Sequence, residues 1–145
     1  MRYLDTSSLV ALYYPEAKTA RLEKHLRRRR SRFPFTWLHE LELTNGLQLK
    51  VFRGEGTEAA VAATLAAVRA DLEAGAFSRM QIEWSTVFEG ALRLSAAYSR
   101  RLGTRTLDLL HVATACLLEV NEFITSDQRQ SDLAEREGLK VVLIL

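Results

Sequence analysis

The sequence predicts an α/β fold, an α/β/α sandwich with a mainly parallel central sheet and a helical hairpin. Three observations predict it. Short apolar runs at Met1–Leu4 and Phe123–Thr125 alternate with long helical stretches, the order that builds a parallel sheet covered by helices. The final run, Leu139–Leu145, is apolar almost throughout, as expected of a strand buried on both faces. Arg105–Leu118 reads as a helix whose Leu107, Leu110, Ala113, Ala115, Leu117 and Leu118 leave little room for a water-facing stripe. A length of 145 residues fits one domain, 1–145, and 48% hydrophobic residues suffice for a core.

Met1–Leu4 is a strand ending at Asp5, and Thr6, Ser7 and Ser8 supply hydroxyls to cap a helix beginning near Leu9. Pro15 stops that helix, and Glu16–Arg30 follows as an amphipathic one ending in the basic run Arg27–Arg32. Phe33–Phe35 is a short strand. Thr36 caps a long helix through Phe52 that holds Glu40, Glu42 and Asn45. Gly54 and Gly56 break the chain before a second long helix, Thr57–Ala76, and the two helices form the hairpin. Met80–Trp84 alternates weakly as a strand. Ser85 or Thr86 caps a helix with Val87, Ala91, Leu94 and Tyr98 inward, closed by Gly103. After the apolar helix and the strand to Thr125, Gln128–Glu137 is a polar helix closed by Gly138.

Composition narrows the function. Formal charge is only +2, yet sixteen of the twenty basic residues are Arg, the side chain suited to gripping phosphate or carboxylate in a fixed fork. The run Arg27–Arg32 is open to two readings, a solvated helix end or a phosphate-contacting patch. Cys116 is the single cysteine, which excludes an internal disulfide and a cysteine zinc site and suits a reducing cytoplasm. No basic-then-apolar leader opens the sequence and no apolar run is long enough to span a bilayer, so the expectation is a cytoplasmic protein with no membrane contact.

The Asp residues are placed pointedly. Of five, Asp5 and Asp127 follow predicted strands and Asp108 lies in the first turn of the apolar helix. In a parallel sheet the carboxyl ends of all strands share one edge, where ligands of open α/β folds sit. Asp5 has a competing reading as an ordinary N-cap. Spacing alone does not bring Asp108 or Glu42 to that edge. Should the four carboxylates converge, like charges that close need cations to remain ionised. A set of carboxylates without His or Cys favours Mg²⁺ or Mn²⁺.

Ordered along the chain are Leu4-Asp5-Thr6-Ser7; Thr36 followed by Glu42-Leu43-Thr44-Asn45-Gly46-Leu47; Thr106-Leu107-Asp108-Leu109-Leu110-His111-Val112-Ala113-Thr114-Ala115; and Ile124-Thr125-Ser126-Asp127 with Ala134 and Gly138-Leu139. This set resembles the PIN domain family, and more narrowly its VapC-type ribonuclease toxins. The resemblance implies a PIN-like fold and an acidic metal site of Asp5, Glu42, Asp108 and Asp127. Glu42 takes the position because Asn45 follows it at the family spacing, and Glu40 is the fallback. Thr6 and Thr125 match supporting hydroxyl positions.

The activity so implied is metal-dependent hydrolysis of RNA phosphodiester bonds with Mg²⁺ or Mn²⁺, leaving 5′-phosphate and 3′-hydroxyl ends. The implied partners are an RNA substrate, a cognate VapB-like antitoxin and a second copy in a homodimer. Arg27–Arg32, Arg100, Arg101 and Arg105 are candidates for a cationic rim around the acids. His111, three positions after Asp108, is expected to orient the acid rather than act as a base. His25 and His39 are expected either at the surface or behind the acids in a supporting position, and Cys116 in the core. The alternative to the nuclease is a non-catalytic PIN-fold RNA- or protein-binding module. A phosphotransfer enzyme with Asp5 as acceptor is less suited, because only four Lys are present and Lys140 falls in the terminal strand.

Overall fold

The computed structural model describes residues 1–28 and 31–145. Strand β1 (Arg2–Leu4) leads into α1 (Thr6–Tyr13) and α2 (Thr19–Arg27). Strand β2 (Pro34–Phe35) precedes the hairpin of α3 (Trp37–Phe52) and α4 (Glu58–Glu73). Then come β3 (Ser78–Arg79) and α5 (Trp84–Leu94), which runs through a π-helical segment, Ser95–Ser99, into α6 (Arg100–Leu102). Gly103 follows with φ +65°, a left-handed turn that glycine adopts without steric cost. The chain then enters α7 (Thr106–Leu117), β4 (Glu122–Thr125), α8 (Gln128–Arg136) and β5 (Val141–Leu143).

All paired strands are parallel. β4 lies between β1 and β5, and β2 pairs with β3 beside β1. Alternation along the strands separates two cores. Tyr3 and Phe123 face α5, α7 and α8, whereas Leu4 and Ile124 face α1 to α4. The sheet is thus covered on both sides, the sandwich the sequence predicts. Each fully buried side chain of this kind contributes roughly 1.5–3 kcal/mol.

Several local expectations change. α1 starts at Thr6, because Asp5 itself caps it through the Ser8 amide. The third strand is Ser78–Arg79, not Met80–Trp84, and Glu83 rather than Ser85 or Thr86 caps α5. Register explains this: Ser78 and Arg79 are the residues opposite Pro34 and Phe35. β5 is half-buried, not buried on both faces, because it is an edge strand of the three-stranded sheet. Cys116 is half-buried too. The apolar helix is buried at every residue from Asp108 to Ala115, as expected, but Leu107 and Leu117 at its two ends are exposed and Leu118 is half-buried. Among the described residues no helix is long and apolar enough to cross a membrane.

Candidate active site

The parallel register sets the stage. Leu4 pairs with Ile124, so Asp5 and Thr125 emerge side by side at the carboxyl edge. The Thr125 hydroxyl donates to Asp5 Oδ2 over 2.8 Å, and the Asp127 amide donates back to Thr125 Oγ1 over 3.0 Å. Asp5 is wholly buried and its charge is answered by the Ser8 amide on Oδ1 and the Ser7 hydroxyl on Oδ2. Asp127 caps α8, accepting from the Arg129 amide at 2.7 Å and, more weakly, from the Gln130 amide at 3.4 Å. Both acids sit at helix N-termini, where backbone N–H groups and the helix dipole favour a negative charge.

Asp108 reaches the same corner through α8. Its Oδ2 accepts from the Arg105 amide and its Oδ1 from the Gln130 side-chain amide at 3.2 Å. Burial pushes its carboxyl above the usual range, and the nearby Asp127 carboxylate adds to the rise; the Arg105 and Gln130 amides oppose it without cancelling it.

Glu42 is drawn in by His111, one turn beyond Asp108 on α7. The His111 ring is fully buried. Its Nε2 lies 2.6 Å from Glu42 Oε2 and 3.1 Å from Thr6 Oγ1, and its Nδ1 lies 2.8 Å from the Tyr3 hydroxyl. A carboxylate only accepts, so Nε2–H donates to Glu42, while Nδ1 is paired with the Tyr3 hydroxyl. Burial alone would raise the Glu42 carboxyl, but the hydrogen bonds from His111 and Thr6 and the field of the ring outweigh it and hold the group below its usual range. Glu40 points elsewhere and pairs with Arg79 at 2.6 Å.

Four acids from four segments therefore fall into two hydrogen-bonded sets, Asp5–Thr125–Asp127–Gln130–Asp108 on one side and Glu42–His111–Thr6 on the other, which meet where Asp5 is followed by Thr6. As the side chains stand, each carboxylate is turned to its own donors, and among the described residues no three His, Cys, Asp or Glu groups stand together as a metal-holding set. Among the described residues one buried side-chain atom lacks a partner: Oε1 of Gln130, whose amide nitrogen holds Asp108. A buried acceptor without a donor, beside two mutually repelling carboxylates, suits a cation with its waters. The oxygen-only donor set fits Mg²⁺ or Mn²⁺ for the same reason.

Residues that sequence reasoning passed over also belong here. Lys18 Nζ donates to Ser126 Oγ at 2.8 Å, Ser126 lies 2.6 Å from Ser7 Oγ, and Ser7 donates to Asp5, a relay of hydroxyls from a cation to an acid. Gln130 and Tyr3 are likewise members. No spacing signals them, since Tyr3 and His111 are 108 positions apart. Of the two positions expected for His39, surface or behind the acids, the structure takes the second: the ring is fully buried and lies against His111. Its Nε2–H donates to the Leu4 carbonyl while Nδ1 accepts from the Thr36 amide and hydroxyl. His25 is part-buried against Glu122 at 2.8 Å.

The predicted cationic rim is redistributed. Arg105 and Arg129 lie beside the acids. The described ends of the basic run do not: Arg28 lines a cleft with Arg2 and Glu122, and the Arg32 carbonyl accepts from the Arg2 amide at the start of β1, at the opposite edge of the sheet. Arg29 and Arg30 fall outside the described residues.

A model of the PIN domain family matches residues 2–136. Among solved structures, the chain is similar to PAE2754 from Pyrobaculum aerophilum, with 20% identity, TM-score 0.65, and 97% of this chain and 90% of that one covered. It is similar to a toxin-antitoxin complex from Klebsiella pneumoniae at 20% identity and TM-score 0.62, covering 98% and 96% of the two chains. FitAcB from Neisseria gonorrhoeae gives 17% identity and TM-score 0.64 over 97% and 96%. At such identities the likeness speaks for the fold. No curated protein matches the chain in sequence.

Proposed function

The chain belongs to the PIN domain family, and on that premise we propose that it is a metal-dependent endoribonuclease, the toxin of a VapBC-type toxin–antitoxin pair. The observation that carries this reading is the pair of hydrogen-bonded sets at the carboxyl edge, one joining Asp5, Asp127 and Asp108 and the other holding Glu42 through His111 and Thr6, the residue after Asp5.

In this reading Asp5 and Asp108 hold Mg²⁺ or Mn²⁺, with Glu42 and Asp127 completing or orienting the shell. The ion, when bound, neutralises a phosphate oxygen and makes hydroxide available from water near neutral pH. The chain's own part is positioning. Thr125 and Ser7 hold the Asp5 carboxylate, Gln130 aims Asp108, and the buried His111, fixed by Tyr3, holds Glu42 ionised. Lys18, Arg105 and Arg129 offset the acidic charge that would otherwise repel RNA.

The same acidic notch suits cationic side chains from the C-terminal segment of a VapB-like antitoxin; a toxin-antitoxin complex among the structural neighbours supports this. Exposed apolar side chains on α3 and α5, Leu41, Phe52, Phe88 and Leu92, support pairing with a second copy as a homodimer.

The test is cleavage of RNA by the purified protein with Mg²⁺ or Mn²⁺ and with EDTA. The expected result is cutting that needs the metal, leaves 5′-phosphate and 3′-hydroxyl ends, and is abolished in Asp108→Asn. Cutting that continues unchanged in EDTA overturns the proposal. A second reading, the non-catalytic PIN-fold binding module, draws on the locally satisfied carboxylates. It predicts no metal-dependent cleavage and no heat of Mn²⁺ binding by calorimetry.

A further inference from the structure

α2 connects the two edges of the sheet. At its N-terminal end Lys18 reaches Ser126, beside Asp127 and the Asp5 hydroxyl relay. At its C-terminal end His25 meets Glu122, the first residue of β4. Between Lys18 and Arg28 the helix and its caps rise about 15 Å.

The charges on α2 are sorted by face. Lys18, Arg21, Lys24 and Arg28 recur at three, three and four positions, the spacing that keeps side chains on one side of a helix. The structure places Arg21, Lys24, His25 and Arg28 together along one open depression. Glu23, the acid within the helix, borders a second depression together with Lys24 and Arg27, and is answered there by Arg27 at 3.2 Å. The stripe is thus left positive. Lys24 and Arg28 are exposed and form no ion pair among the described residues, and Arg21 donates only to the Leu145 carbonyl. The adjoining cleft, which shares His25 and Arg28, contains one carboxylate, Glu122. That carboxylate is held by Arg2, His25 and Lys140 at 2.9, 2.8 and 3.4 Å.

A line of Lys and Arg ending at an acidic notch, with an acid partner at Lys18 (Glu16, 3.5 Å) but none at Lys24 or Arg28 among the described residues, is the electrostatic form of a backbone-tracking groove. We propose that the stripe Arg21–Lys24–Arg28 is the track along which the phosphate backbone of single-stranded RNA runs toward the acid network, with Lys18 at the point of entry. The inference rests on the nuclease reading, and it adds a location and a polarity: RNA leaves the site along α2, toward the amino edge of the sheet. A basic rim drawn evenly around the acids would place no contacts there.

The test is binding of a fluorescein-labelled 20-nucleotide single-stranded RNA to the full chain in EDTA, read by anisotropy over a salt series. Arg21→Gln, Lys24→Gln and Arg28→Gln are combined in one variant and compared with the ion-pair variant Glu23→Gln, Arg27→Gln. The triple variant is expected to raise Kd at least about tenfold and to flatten the log Kd against log salt slope by about 2, three contacts at roughly 0.7 each. The ion-pair variant is expected to leave both unchanged. In cleavage, the loss appears in KM for long RNA and is absent for a tetranucleotide. Equal binding by the triple variant and the wild type overturns the track, as does an equal loss in the ion-pair variant, or wild-type protein that sediments with phosphatidylserine vesicles and leaves the RNA free. Because binding is measured without metal, a wild type that binds along the stripe but never cuts removes the nuclease and leaves the track standing. One that cuts with metal but loses nothing in the triple variant does the reverse.

Discussion

The two edges of one parallel sheet carry opposite charge and treat it differently. At the carboxyl edge the acids are part-buried to fully buried and tied by hydrogen bonds to named donors. At the amino edge the cations are mostly exposed, and Glu122 gathers several of them. Chain direction is the common cause. In β/α units the helices after the strands begin at the carboxyl edge, and α1 and α8 present amide-rich N-termini there, capped by Asp5 and Asp127. α2 ends at the other edge, and Lys24, His25 and Arg27 occupy its last turn, where the dipole favours cations. The comparison teaches that burial makes the acid edge geometrically determined, while exposure leaves the basic edge a field rather than a fixed constellation.

The sharpest way to break the comparison is Asp5→Asn. The change is nearly isosteric and keeps the cap to α1, so the fold should survive by circular dichroism. RNA cleavage should fall about a thousandfold, roughly 4 kcal/mol of barrier. A variant that cuts normally would reduce Asp5 to a helix cap.

Next comes His111→Ala. It strands the Tyr3 hydroxyl, frees Glu42 and opens a cavity between α7 and the sheet, so the expected loss is about 3 kcal/mol in urea unfolding. A midpoint within error of the wild type would show that the acid edge is less tightly determined than its hydrogen bonds imply.

Acid titration gives a third and smaller effect. Burial holds His39 neutral and lowers its pKa to about 3, with His111 nearby adding to the shift and the bond to the Leu4 carbonyl opposing it. The unfolded chain takes up this proton near pH 6.5 while the folded chain refuses it. Stability is therefore whole above that pH and declines as pH falls through the window toward 3, at up to about 1.4 kcal/mol per unit. His39→Gln should flatten that decline between pH 6.5 and 4.5; an unchanged profile would assign the acid sensitivity to other groups.

The smallest change is expected at the opposite edge. Lys24→Gln with Arg28→Gln should alter unfolding free energy by no more than about 0.5 kcal/mol. A larger loss by thermal melting would mean that these cations hold structure, contrary to their exposure.

Much of the architecture is legible along the chain because it follows from local chemistry. Asp5, Thr36, Thr57 and Asp127 are capping residues at or beside the helix starts that their neighbours predict. The burial of Asp108–Ala115 follows from an apolar helix with no polar stripe. The short third strand was misplaced because a two-residue strand has no periodicity of its own; pairing with Pro34 and Phe35 selects it. The family pattern names four acids, but their links run through Thr125, Gln130 and His111, which no spacing brings together.

The order of strands and helices, the Thr36 cap of α3 and the carboxylates that follow β1 and β4 were settled by the sequence alone, since hydrophobic period and backbone capping act over a few residues. Which side chains hold those carboxylates, that His39 is sealed beneath Leu4, and that Arg28 and Arg32 lie at the far edge of the sheet were decided only by the tertiary structure. Each of these depends on a contact between segments tens to more than a hundred positions apart, and such a contact exists only once both cores have closed on the sheet.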